Sequence, residues 1–168
     1  MKSKLISVSF IALLLVIITS LPGCAPAPAA DDLAGEWKGT VQFKTGMYAE
    51  IKDLLFMRVF NEGGTMTESS NYDGAPPVPP AYGIWRKTGE KQYEAKYEFF
   101  TTNPPASFED ISKGSGFTPS GYGLVSETIT LSEDGKSYSS VISLTMFDKS
   151  GKEISRDKAD AEAERMEF

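Results

Sequence analysis

A chain of 168 residues, 40% hydrophobic and 24% charged, has the balance of one ordinary globular domain, with nothing to suggest a second. Its formal net charge of −6 opposes approach to nucleic acid phosphates, so neither DNA nor RNA is an expected partner. Histidine is absent and cysteine occurs once, at Cys24. That excludes Ser-His and Cys-His nucleophile pairs, the commonest zinc and copper ligand, and any internal disulfide.

No phosphate loop, dinucleotide fingerprint or metal-ligand cluster occurs along the chain, so no cofactor or metal is expected. Asp31-Asp32 and Glu133-Asp134 read as solvated turn charges, because neither belongs to a spaced oxygen-ligand loop. Catalysis, if any, must run on carboxylates, tyrosine or lysine, and a binding role ranks ahead of an enzymatic one.

The first 23 residues form an address. Lys2 and Lys4 precede an uncharged apolar run from Leu5 to Ile18, short for a membrane span but suited to a secretory signal. The ending Leu21-Pro22-Gly23-Cys24 resembles the bacterial lipoprotein box. The resemblance implies cleavage before Cys24, diacylglycerol on its sulfur and a membrane anchorage through acyl chains, palmitate among them. Ordinary cleavage within Ala25 to Ala30 is disfavoured by the prolines beside most of its sites. Ala25 rather than an aspartate after the cysteine resembles outer-membrane sorting in a two-membrane bacterium. Residues 24–34 are then a lipidated, proline-spaced tether, and residues 35–168 the folded domain.

That domain opens on Gly35 to Phe43, where Trp37, Gly39, Val41 and Phe43 share one side of an extended chain and Glu36, Lys38, Thr40 and Gln42 the other. Met47 to Lys52 reads as a connection, with a helical turn over one end of the fold. Leu54 to Phe60 and Thr65 to Asn71 are strands joined through Asn61-Glu62-Gly63-Gly64. Asp73 to Pro80 carries four prolines and reads as an extended, solvated loop.

Tyr82 to Lys87 and Gln92 to Phe99 flank the turn Thr88 to Lys91, the second with Tyr93, Ala95, Tyr97 and Phe99 on one side. Thr102 to Gly121 reads as a long loop, in which Ser107 to Asp110 resembles a capping box opening a brief helical turn with Phe108 and Ile111. Tyr122 to Leu131 and Tyr138 to Asp148 are strands linked through Asp134-Gly135. Lys149 to Lys152 turns the chain again. Glu153 to Phe168 is helix-forming by composition, but Ala159, Ala161, Ala163 and Arg165 alternate with acids at period two, which favours a strand. These pieces predict an all-β fold, a single antiparallel up-and-down barrel of about eight to ten strands, since closure removes unpaired edges.

Gly35-x-Trp37 on the first strand, the meander and Arg165 on the last resemble the calycin superfamily of lipocalins, fatty-acid-binding proteins and avidins. The likeness extends to bacterial secreted proteins of lipocalin-like fold through Phe60-x-x-Gly63-Gly64-Thr65, Gly83-x-Trp85 and Asp134-Gly135. A Thr-Asp-Tyr corner, the second lipocalin signature, is not present in that form. The resemblance implies that Arg165 packs across Trp37 and seals one end of the barrel, with the small Ala159, Ala161 and Ala163 making room.

An eight-stranded barrel either fills itself or holds one small ligand. The inward candidates Tyr93, Tyr97, Phe99, Ile142, Leu144 and Met146 would line an apolar site with phenol tips. Glu68 and Glu127 share parity with apolar neighbours. Rim placement is their commoner fate, the alternatives being a partner such as Arg58, Lys96 or Arg165, or a wet cavity. The reading is a membrane-anchored envelope protein that binds or carries a small hydrophobic ligand. One alternative is a filled barrel whose loops Asp73 to Ala81 and Thr102 to Gly121 capture or inhibit an envelope protein; another is a carboxylate-based isomerase or cyclase using Glu68 and Glu127.

Overall fold

The computed structural model describes residues 32–72, 80–112 and 117–167, with the side chains of Phe108 and Ser112 outside that description. The expected signal segment, Cys24 and most of the tether, the core of the proline loop at 73–79 and residues 113–116 also lie outside it.

Eight strands follow one another around a closed barrel: β1 (Gly35–Phe43), β2 (Leu55–Phe60), β3 (Thr65–Ser70), β4 (Ala81–Gly89), β5 (Gln92–Asn103), β6 (Thr118–Leu131), β7 (Ser137–Asp148) and β8 (Glu153–Arg165). Every neighbour is antiparallel, and β8 returns to pair with β1. The strand reading of the tail is therefore correct: alternation placed its alanines inside, and tertiary burial overrode helix propensity. Among the described residues the one helix is α1 (Phe108–Ser112), opened by the expected box, in which Asp110 N–H donates to Ser107 Oγ at 3.3 Å and Ser107 N–H to Asp110 Oδ2 at 3.1 Å.

The long connection predicted from Thr102 is shorter than its prolines suggested. β5 and β6 keep pairing through Thr102↔Pro119 and Asn103↔Thr118, past a register shift at Thr101/Thr102. A bulge is one of the few places where a sheet accepts a proline, which cannot donate to the ladder.

The turns sort the barrel into two ends. One carries the β2–β3, β4–β5 and β6–β7 hairpins, the start of β1 and the end of β8; the other carries the longer links and the β7–β8 turn. At the second end the β1–β2 link makes two successive turns, Ala49 N–H to Gly46 O at 3.2 Å and Ile51 N–H to Tyr48 O at 3.1 Å. Tyr48 and Ile51 thereby pack against the core, with the Tyr48 ring 5.2 Å from that of Phe43.

Gly39 is small for a reason. A Cβ there would lie 2.1 Å from the Glu162 carbonyl oxygen and 2.6 Å from Phe56 Cζ. It would also lie 2.8 Å from Ala163 Cβ, so the absence of a side chain at Gly39 is what lets the Phe56 ring lie there. Gly39→Ala is expected to destabilise by about 1–3 kcal/mol, as overpacking does. Urea unfolding checks it; an unchanged midpoint would show that the β8 backbone at Glu162 and the Phe56 ring both yield.

Candidate functional site

The closed end is a layer of rings. Trp37 and Tyr138 lie 4.9 Å apart, Phe60 and Trp85 5.8 Å, and Trp85 and Tyr93 5.8 Å, centroid to centroid. Below them the Arg165 guanidinium sits 4.3 Å from the Trp37 ring centre. Its N–H groups donate to the carbonyls of Gly135, Ala34 and Asp32 at 2.7 to 2.9 Å. Trp37 Nε1 donates to Leu33 O at 2.9 Å. The segment Asp32 to Ala34 is consequently fastened beneath the barrel, and Leu33 is fully buried.

Above the rings, Arg58 crosses the interior. Phe56, Arg58 and Phe60 alternate inward on β2, and the guanidinium lies 3.9 Å from the Phe56 ring centre. Nε donates to Glu68 Oε2 at 2.6 Å, Nη1 to Glu127 Oε1 at 2.7 Å and Tyr138 Oη at 2.9 Å, and Nη2 to Tyr97 Oη at 2.6 Å. The Tyr97 hydroxyl donates in turn to Glu127 Oε2 at 3.3 Å, and the Ser140 hydroxyl donates to Glu127 Oε1. One side chain ties β2 to β3, β5, β6 and β7.

Rim placement of the two acids is overturned. Glu68 is the cross-strand neighbour of Arg58, while Glu127 reaches the same guanidinium from the opposite wall. Both side chains of the Arg58–Glu127 pair are fully buried, and Glu68 keeps 17% exposure. A carboxylate out of water needs such a partner. With both oxygens of Glu127 accepting hydrogen bonds, the pair has the form of a braced ion pair rather than of a poised general base.

Burial works against the charge on Arg58. Attraction by Glu127, by the phenolic oxygens of Tyr138 and Tyr97, and by Glu68 outweighs it and raises the pKa well above its ordinary value. Burial pushes the Tyr97 and Tyr138 hydroxyls up, against Arg58, with the neighbouring carboxylates adding to the rise. Because their folded pKa values are raised, these phenols contribute stability that is complete below the unfolded tyrosine value of about 10 and is lost as pH climbs above it. Spectrophotometric titration should show both phenols ionising only with unfolding. Tyr97→Phe should flatten the alkaline fall in stability; a fall as steep as in the parent would place the effect elsewhere.

On the open side of Arg58 lies a cavity of about 130 Å³, walled by Val41, Phe43, Tyr97, Phe99, Val125, Ile142 and Leu144, with Arg58 and Glu68 at its base and Tyr48, Leu54 and Tyr72 toward its opening. The Phe99 ring can lie inward because Gly123 has no side chain; a Cβ there would be 2.3 Å from Phe99 Cζ.

Of the residues expected to line a ligand site, Tyr97, Phe99, Glu68, Ile142 and Leu144 meet at this cavity. Tyr93 belongs to the ring layer, Met146 is buried outside the cavity wall, and Glu127 stands behind Arg58. Arg58 entered the sequence reading only as a possible partner, Tyr138 only as the first residue of a strand, and Ser140 only within that strand. The signal was available in Phe56-x-Arg58-x-Phe60, where a cation shares one strand face with two phenylalanines; reading Leu54 to Phe60 as a strand without separating its faces concealed it.

Among the described residues, no group of acids or cysteine has the geometry of a metal site, and no helix is long and apolar enough to cross a membrane. Of the loops proposed for partner capture, Asp73 to Ala81 falls largely outside the described residues, at 73–79, whereas Thr102 to Gly121 does so only at 113–116 and is otherwise taken up by the end of β5, α1 and the start of β6. No protein-family model matches the chain and no curated protein is significantly similar to it, so the fold rests on the eight-stranded antiparallel barrel itself.

Proposed function

We propose that this is a calycin-type, lipid-anchored envelope protein whose barrel binds one small apolar molecule with a polar handle. The observation that carries the reading is the cavity between the Arg58 network and the open end, apolar on its walls and charged at its base. A space of about 130 Å³ is close to the engineered cavity of about 150 Å³ that admits benzene. The ligand is accordingly a single ring or a short chain, smaller than the lipids that wider barrels enclose. The ring layer and Arg58 occupy the interior on the closed side of the cavity.

Native mass spectrometry of protein purified from its host, followed by solvent extraction, is expected to release such a molecule. Protein that carries no adduct and takes up neither toluene nor benzyl alcohol at millimolar concentration would overturn the reading. Anchorage is tested separately: Cys24→Ser should abolish labelling by an alkyne fatty acid and move the protein from the detergent to the aqueous phase.

A further inference from the structure

We infer that the cavity, on the binding reading above, selects by charge: it takes a small apolar cation, a primary amine or amidinium on a ring or short chain, in preference to the matching carboxylic acid.

Among the described residues, one guanidinium, Arg58, stands in the middle of the barrel, and it already holds two carboxylates, Glu68 through Nε and Glu127 through Nη1. A third acid, Asp157, is buried on β8 as the cross-strand neighbour of Leu144, itself a wall residue of the cavity. The remaining inward cation, Arg165, lies against Trp37 in the closed end, beyond the ring layer. A ligand carboxylate would therefore be one more anion around a cation that is already satisfied. A ligand ammonium meets an excess of negative charge in a medium that screens poorly.

Geometry selects Glu68 as the contact. Glu127 has Oε1 engaged by Arg58 and Ser140 and Oε2 by Tyr97. Glu68 has Oε2 engaged by Arg58 Nε, shares the Tyr97 hydroxyl as a neighbour, and is the acid whose side chain lines the cavity. A carboxylate offers about four acceptor sites, so Glu68 has capacity for a donor arriving from the cavity. The faces of Tyr97 and Phe99 attract a cation as well as an apolar body. A neutral donor, an alcohol or an amide, would make the same hydrogen bond without the charge.

Three ligands of one shape separate these effects: benzylamine, benzyl alcohol and benzoate, titrated by calorimetry at neutral pH and low salt into the mature, signal-free chain and its Glu68→Gln variant. Benzylamine is expected to bind at least tenfold more tightly than benzyl alcohol, with benzoate weakest; Glu68→Gln should bring benzylamine within about threefold of the alcohol. Should that variant fail to fold, Leu144→Phe, which narrows the same space, must weaken benzylamine at least tenfold. Benzoate binding as tightly as benzylamine, or benzylamine indifferent to both variants, would overturn charge selection while leaving the cavity a binding site for the alcohol. Failure of all three to bind at millimolar concentration would overturn the binding reading and this inference with it.

Discussion

Arg58→Met is expected to lower the unfolding free energy by about 3–5 kcal/mol, the usual consequence of leaving a buried carboxylate without its counter-ion. The reason is geometric. Glu127 is fully buried and is held by this guanidinium from across the barrel, so it cannot regain water by a rotamer change. Tyr97 and Tyr138 lose a donor at the same time. The deficit belongs to the orphaned acids rather than to the ion pair as such. Arg58→Met combined with Glu127→Leu and Glu68→Gln should therefore recover at least half of it, because apolar replacement of a whole buried network is often neutral or stabilising. Thermal and urea unfolding of the single and triple variants decide the matter. A single variant within about 1 kcal/mol of the parent would show that water reaches Glu127, and a triple variant worse than the single would show that the network is worth more than its desolvation.

Trp37→Ala is the second large effect, at about 3–5 kcal/mol for an aromatic removed from a filled core. The indole is fully buried, packs at a tilt against Tyr138, covers the Arg165 guanidinium and donates to Leu33 O. Arg165→Ala should be milder globally but local in character, since it releases the carbonyls of Asp32 and Ala34. Hydrogen exchange should then speed up at residues 32–37 ahead of the rest of the barrel. The two changes share one contact, so their effects should fall short of additive in a double-mutant cycle. Strict additivity would mean that the guanidinium and the indole stabilise the closed end independently.

Period-two alternation made most of the barrel legible before any coordinates. The bounds of β1 match the sequence reading, and the alanines of β8 outvoted a helix-forming composition because only a strand puts Ala159, Ala161 and Ala163 on one buried side. Turn chemistry located the Gly64, Gly135 and Gly151 corners, each at positive φ. The candidate site was less legible. Its wall residues lay on one parity of β5 and β7, but parity does not say at what height along the axis a residue sits. Tyr93 and Tyr97, on the same face of β5, accordingly ended in the ring layer and at the cavity. The ion network was hidden for another reason. Arg58 and Glu127 are separated by 69 residues in sequence, and only closure of the sheet brings opposite walls within reach of one side chain.

The fastening of Asp32 to Ala34 under the ring layer has a directional consequence. Because the leading segment joins the molecule at its stoppered pole, an acyl group on Cys24 would tether the molecule by that pole, through a leash from Ala25 to Asp31 of at most roughly 25 Å. On the binding reading proposed above, the cavity would then open at the pole opposite the point of attachment.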